Sequence, residues 1–163
     1  MTPASPLDRI RSWNEARAWR ATQSGRVVFT NGVFDLLHPG HIDVLCGARA
    51  CGDVLVVGIN SDDSVKRLKG PERPVRNAAD RAYVLAALVM VDCVAVFEQD
   101  TPLELIELLE PDVIVKGGDY SPDTVVGAKE TRARGGDVVI IPITPGHSTT
   151  ATIAKLRSGN TDV

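Results

Sequence analysis

The sequence carries no excess of one charge. Its 18 Lys and Arg stand against 21 Asp and Glu, a formal net charge of -3, and the two signs are mixed along the chain. No basic stripe is visible, which argues against coating a nucleic acid and leaves the binding of one small nucleotide open. No apolar run approaches the length of a membrane span. Arg9, Arg11 and Arg17 lie near the N-terminus without an apolar stretch behind them, so no secretory leader is expected. Cysteines number 3, an odd count, and Cys46, Cys51 and Cys93 lack the spacing of metal ligands. Buried thiols in a reducing cytoplasm are the expectation. Repeats, low-complexity tracts and internal linkers are missing too, so 163 residues read as one domain able to bury a sizeable core. Histidine is scarce: there are 3, and His38 and His41 fall in one short turn.

What is present has the proportions of a soluble globular protein, 44% hydrophobic and 24% charged. The first two dozen residues read as a helix, started by Ser5-Pro6, with Leu7, Ile10 and Ala18 as a weak apolar stripe and Trp13 and Trp19 as packing anchors. Five runs nearly continuous in Val and Ile follow: Val27–Thr30, Val54–Asn60, Cys93–Phe97, Val113–Lys116 and Val138–Ile143. Strands buried on both faces read this way. Helical patterns fall between and after them, at about 39–51, 62–68, 78–90, 101–110, 122–134 and 149–158. Thr101-Pro102-Leu103-Glu104 predicts a capping box with proline at the first helical position, over a buried stripe of Leu105, Leu108 and Leu109. Such alternation predicts an α/β fold, a Rossmann-like doubly wound sheet of five parallel strands. Residues 1–25 read as a helical extension, 26–158 as the domain and 159–163 as a loose tail.

Ligands of doubly wound sheets bind beyond the carboxyl ends of the strands. After the first strand comes Thr30-Asn31-Gly32-Val33-Phe34-Asp35-Leu36-Leu37-His38-Pro39-Gly40-His41, opening a helix patterned by Ile42, Leu45 and Cys46. A helix N-terminus offers free N–H groups and positive dipole to an anion, and two imidazoles add donors. Gly32 and Gly40 let backbone approach a bound group, and Pro39 suits a first helical turn. The turn reads as a phosphate site with histidines aimed at it. Asp35 is placed to meet a substrate hydroxyl or a magnesium-bridged phosphate, or to cap a turn. After the second strand, Lys66 and Lys69 precede a loop carrying Arg73 and Arg76, where cations would screen charge on a transferring phosphoryl group. After the fourth, Gly118 and Asp119 suit a base or ribose; after the fifth, Ser148-Thr149-Thr150 opens the last helix.

These motifs together resemble a known family. His38-Pro39-Gly40-His41 matches H-x-G-H, the signature of the nucleotidyltransferases, and Ser148-Thr149-Thr150 matches the S-T-T signature of their cytidylyltransferase-like branch. Within it, Lys66–Gly70, Arg73-Pro74-Val75, Glu98–Pro102, Val115–Tyr120 and Gly127–Glu130 resemble the adenylyltransferases that make ADP-heptose from D-glycero-β-D-manno-heptose 1-phosphate and ATP, in their stand-alone form. The resemblance implies that His38, His41, Lys69 and Arg81 are catalytic. It places Thr30, Asn31, Gly32, Phe34, Gly40, Gly118, Asp119, Ser148, Thr149 and Thr150 against the nucleotide, and Asp35 and Lys66 at the second substrate. ATP would be co-substrate, with Mg²⁺ held through its phosphates and by no protein ligands.

Two departures stand out. His147 replaces an aliphatic or cysteine residue before Ser-Thr-Thr, and Ile143 stands where cytidine-transferring relatives carry an arginine. A cytidylyltransferase acting on a polyol or alcohol phosphate is the first alternative, and a non-catalytic nucleotide-binding subunit the second. Expected partners are small molecules, with neither nucleic acid nor membrane. A helix face of Val84, Leu85, Leu88 and Val89 could pair two copies or belong to the core.

Overall fold

The computed structural model describes residues 5–143 and 145–159. Five strands form one parallel sheet: β1 (Val27–Gly32), β2 (Val54–Asn60), β3 (Cys93–Phe97), β4 (Val113–Gly117) and β5 (Asp137–Ile141), in the spatial order β3-β2-β1-β4-β5. The predicted Rossmann-like sheet is therefore present, and its order reverses between β1 and β4. Register is tight: Val27 lies opposite Val54 on one side of β1, and Val28 opposite Val113 on the other.

Both faces of the sheet are covered. Val28, Leu55, Val57 and Ile59 pack beneath α2 (Pro39–Arg49) and α4 (Ala78–Ala86), which contribute Leu45, Ala48, Ala82 and Leu85. Val27, Phe29 and Val56 face the other way, toward α1 (Trp13–Ala21), α5 (Leu103–Leu109) and α6 (Ala128–Ala133). Consecutive strand residues point to opposite faces, so a run must be apolar throughout when both faces are buried. Each such Val, Leu or Phe contributes about 1.5–3 kcal/mol by leaving water. Helices α3 (Asp62–Lys69) and α7 (Thr149–Arg157) complete the fold at the carboxyl ends of the strands. No helix among the described residues is long and apolar enough to cross a membrane.

Several elements differ from their sequence reading. The N-terminal region is not one helix. A 3₁₀ turn at Pro6–Arg9 ends where Ile10 adopts extended backbone and bridges Val94, and Ser12 then starts α1 with its own capping box to Glu15. Trp13 packs as expected, its indole N–H donating to the Val96 carbonyl at 2.8 Å. The box expected at Thr101 does not form. Pro102 is the N-cap of α5 without a side-chain cap bond, and Glu104 instead accepts from Gln99 at 3.0 Å. The buried stripe of α5 is Leu105, Ile106 and Leu109, with Leu108 half-exposed. The segment 122–134 splits into a 3₁₀ turn (Pro122–Thr124) and α6. Gly127 separates them at φ 83°, where a Cβ would meet Ile106 at 2.9 Å. Helix α4 stops at Ala86, and β5 at Ile141 before Pro142. Of the thiols only Cys93 is buried; Cys46 is exposed. On the proposed pairing face Leu85 is core, whereas Val84 and Val89 are exposed. Apart from Gly159, the expected tail lies outside the described residues, as do residues 1–4 of the extension.

Candidate active site

The reversal of strand order leaves a crevice beyond β1 and β4, and a cleft of about 420 Å³ opens there. Its floor is Thr30–Phe34 from β1 and the following turn; its sides are His38, Gly40 and His41 of α2, Lys116 and Gly117 of β4, and His147–Thr149 leading into α7. Lys69 at the end of α3, Tyr120 and Ile143 complete the rim.

The two histidines are held by packing. His38 is the N-cap residue of α2 and His41 lies one turn inside, so their rings stack with centroids 3.8 Å apart. Phe34 supports His41 from 5.1 Å, and His147 extends the stack 6.1 Å beyond His38. Gly40 gives the His38 ring its room, since a Cβ would sit a tight 3.1 Å from it. Gly32 serves Phe34 in the same way, at 2.9 Å. Phe34 itself holds φ 49°, the left-handed region that costs a bulky residue on the order of 1–3 kcal/mol. Such strain persists where surrounding packing over-determines it.

The Nδ1 atoms of His38 and His41 are buried without a hydrogen-bond partner among the described residues. Burial, then the neighbouring His38, push the His41 pKa down to about 4. Burial and His147 lower that of His38 as well. Both rings are therefore neutral at pH 7 without a ligand. Helix α2 has no side-chain cap; Pro39 carries no N–H and the His41 amide donates to the His38 carbonyl at 2.9 Å, so in its first turn the Gly40 N–H is the one left for an anion. The first turn of α7 faces the same space. There Ser148 accepts from the Ala151 amide, and Thr149 donates to the Leu36 carbonyl at 3.1 Å, which ties α7 to the β1 turn.

The structure separates the remaining expected residues. Thr30, Asn31, Gly32, Phe34, Gly40, Lys69, Ser148 and Thr149 line the cleft with the histidines. Arg81 does not. It is fully buried, and its guanidinium donates to the carbonyls of Arg76, Val33 and Asn60 and to Asp62, at 2.8–2.9 Å. It bolts α4 to the turns after β1 and β2. Asp35 is also buried, and its carboxylate accepts from Arg73 and from the Val75 and Arg76 amides. Burial alone would raise its pKa, but those hydrogen bonds outweigh it and hold the group below its ordinary value. Asp35 thus clamps the 73–76 loop rather than reaching a substrate or metal. Lys66 is exposed, pairs with Asp63 at 3.3 Å, and borders a separate hollow beside Asp62 and Arg76. Gly118 is buried behind Tyr120 at φ 121°, Asp119 is exposed outside the described cavities, and Thr150 borders a neighbouring hollow with Lys69 and Arg157.

Tyr120 and His147, noted in the sequence, also line the cleft, whereas the side chain of Lys116 was given no role by the sequence reading. Lys116 had a legible signal, a lone cation ending the apolar run Val113–Val115. The cleft lining contains no carboxylate, so the chain offers a divalent cation no acidic ligand there. Among the described residues no group of three or more His, Cys, Asp or Glu is arranged to hold a metal.

Known proteins share these features. Residues 29–155 match the cytidylyltransferase-like family model. The bifunctional protein HldE of Acidiphilium cryptum is 57% identical over 143 residues, covering 88% of this chain and 29% of that protein. That of Hyphomonas neptunium is 57% identical over 154 residues, covering 94% and 31%. The chain thus spans about a third of the curated relatives' length. Among solved structures, the lipopolysaccharide core biosynthesis protein from Thermoplasma volcanium aligns with TM-score 0.61 and 27% identity, over 74% of this chain and 98% of that one. Pantoate-beta-alanine ligase from Francisella tularensis shares the fold, with TM-score 0.56 and 14% identity, over 83% of this chain and 68% of that one. A five-stranded parallel sheet, a histidine pair at its switch point and a family match across most of the chain converge: the protein belongs to the cytidylyltransferase-like family of nucleotidyltransferases.

Proposed function

We propose that this chain transfers AMP from ATP to a heptose 1-phosphate, giving ADP-heptose and pyrophosphate. The observation that carries the transfer chemistry is the stacked His38–His41 pair, unpartnered at Nδ1, beside the uncapped N-terminus of α2. The heptose acceptor rests on the segments resembling heptose 1-phosphate adenylyltransferases and on identity to the HldE proteins. Ile143 lines the cleft where the resemblance gives cytidine-transferring relatives an arginine, which supports ATP over CTP.

The acceptor phosphate is already an anion, so its oxygen can attack the α-phosphorus without a general base. The bond from the α-phosphorus to the bridging oxygen breaks, and pyrophosphate leaves with the electron pair. The protein's task is to orient the reactants and stabilise spreading negative charge. His38 and His41 act as donors to the triphosphate, and anion binding opposes the burial that keeps them neutral. Lys69 screens the transferring group, and the first turns of α2 and α7 bind phosphate oxygens. Thr30–Gly32 face the nucleoside from the cleft floor. Arg81 supports this geometry from behind. Bound through the triphosphate, Mg²⁺ would supply charge neutralisation, while Lys69 and the two histidines are the groups this chain itself brings to the phosphates.

The test is pyrophosphate release with ATP or CTP and D-glycero-β-D-manno-heptose 1-phosphate, with the product identified by mass. Transfer from ATP alone is expected. Preference for CTP with glycerol phosphate would give the cytidylyltransferase reading, and nucleotide binding without any turnover a regulatory subunit.

A further inference from the structure

Lys116 stands where two cavities meet. On one side is the cleft just described; on the other a hollow of about 350 Å³ opens between Asp100–Pro102 and Thr124–Val126. Lys116 and Lys69 line both. The Lys116 ammonium lies 3.4 Å from both the carbonyl and the side-chain oxygen of Asn31, and 5.8 Å from the Tyr120 ring centroid. It forms no ion pair with a carboxylate among the described residues. Burial, and then the positive charge of Lys69, act to lower its pKa. The one acid bordering the hollow, Asp100, is occupied by Arg67 at 2.7 Å.

With Asp100 taken by Arg67, the cations Lys116 and Lys69 repel one another across the junction until an anion bridges them. A half-buried ammonium also bears a desolvation cost that neutral Asn31 oxygens only partly offset. The hollow beyond is of mixed character, with hydroxyls from Thr101 and Thr124 and apolar surface from Pro102 and Val125. That suits a hydroxyl-rich carbon skeleton joined to a phosphate. Nucleotidyl transfer also brings two anions together, and a cation in the wall common to both cavities offsets their repulsion where they meet.

We propose that Lys116, with Lys69 across from it, holds the phosphate of the acceptor at the junction of the two cavities, with the acceptor's carbon skeleton in the hollow bounded by Thr101 and Thr124. The reaction assigned above places Lys116 on the acceptor rather than on ATP, so the inference rests on that reading.

The test is Lys116→Met, which keeps the length and apolar stem of the side chain. With ATP and D-glycero-β-D-manno-heptose 1-phosphate, loss of a charge-assisted contact should raise the acceptor KM by about tenfold or more while leaving the KM for ATP within about twofold. The unchanged ATP value also reports an intact fold. An unchanged acceptor KM, or an ATP KM that rises equally, overturns the proposal. A second arm does not depend on the acceptor's identity: inorganic phosphate is titrated calorimetrically into protein saturated with Mg²⁺ and α,β-methylene-ATP. Phosphate binding that Lys116→Met abolishes supports the site even if no heptose phosphate is a substrate, in which case only the functional reading falls. Equal binding by both proteins, or by neither, overturns the site. Transfer to heptose phosphate with an unaltered acceptor KM leaves the function standing and removes Lys116 from it.

Discussion

The two ends of the parallel sheet carry similar charges and use them in opposite ways. At the amino ends of the strands, Arg20 pairs with Asp112 at 3.2 Å, Arg49 with Asp92 at 3.6 Å, and Arg26 with Asp137. A hollow of about 440 Å³ lies there among Arg20, Arg26 and Arg134, with Glu110 and Asp112 in the same wall. At the carboxyl ends, His38, His41, Lys69 and Lys116 line a cleft without one carboxylate. Volume does not distinguish the two hollows; at the amino end Arg20 and Arg26 are paired with acids, and Glu110 and Asp112 share the wall with Arg134. A cation matched by an acid of the same chain has little left to offer an anionic ligand, whereas an unmatched one favours an anion from outside. Arg81 shows the rule holding within the carboxyl end itself, because four of the five N–H donors of its buried guanidinium are taken by three carbonyls and Asp62.

This contrast can be broken by substitution. The largest effect is expected at His41. Replacement by alanine should lower kcat by about 10²–10³, as for loss of one transition-state donor, while circular dichroism and urea unfolding show a retained fold. An active variant would remove the histidines from the chemistry. Next is Arg81→Met, which strands buried carbonyls and Asp62. Unfolding free energy in urea should fall by about 3 kcal/mol. A variant that keeps its stability and loses kcat would return Arg81 to the catalytic set.

The pH dependence is of intermediate size. The His41 pKa is lowered to about 4 in the folded chain, against about 6.5 when unfolded. Between those values the unfolded state binds more protons, so stability is fully present above pH 6.5 and is lost as pH falls toward 4. The melting temperature of the unliganded protein should drop across that window, and His41→Asn should drop less. Equal slopes would show that His41 is not desolvated. The smallest effects belong to the amino end. Arg26→Gln and Asp137→Asn, both in an exposed pair, should each change stability by at most about 1 kcal/mol and leave kcat intact. A marked loss of activity there would end the distinction between the two ends.

Much of this was legible along the chain. β2 and β3 run as read, Val54–Asn60 and Cys93–Phe97, because continuous Val and Ile report burial on both faces. His38-Pro39-Gly40-His41 lies at a helix start as expected, since proline, glycine and the following apolar period are local signals. Thr101 failed over a short range: Glu104 found Gln99, five residues back, as its partner, and Pro102 took the cap position. Ile10, by contrast, broke the N-terminal helix by pairing with Val94, a strand more than eighty residues further along.

Asp35, Lys66 and Arg81 make the division sharpest. Residue order sufficed to find a histidine turn at a helix start, a doubly wound sheet and the cations near its carboxyl end. Only packing decided which of those charges remain free. Asp35 was claimed by Arg73 and the 75–76 amides, Lys66 pairs with Asp63 and Arg81 is held by three carbonyls, whereas Lys116 has no acid partner among the described residues. Hydrogen-bond capacity is a property of one side chain; whether it is already spent depends on neighbours that the fold brings from distant parts of the chain.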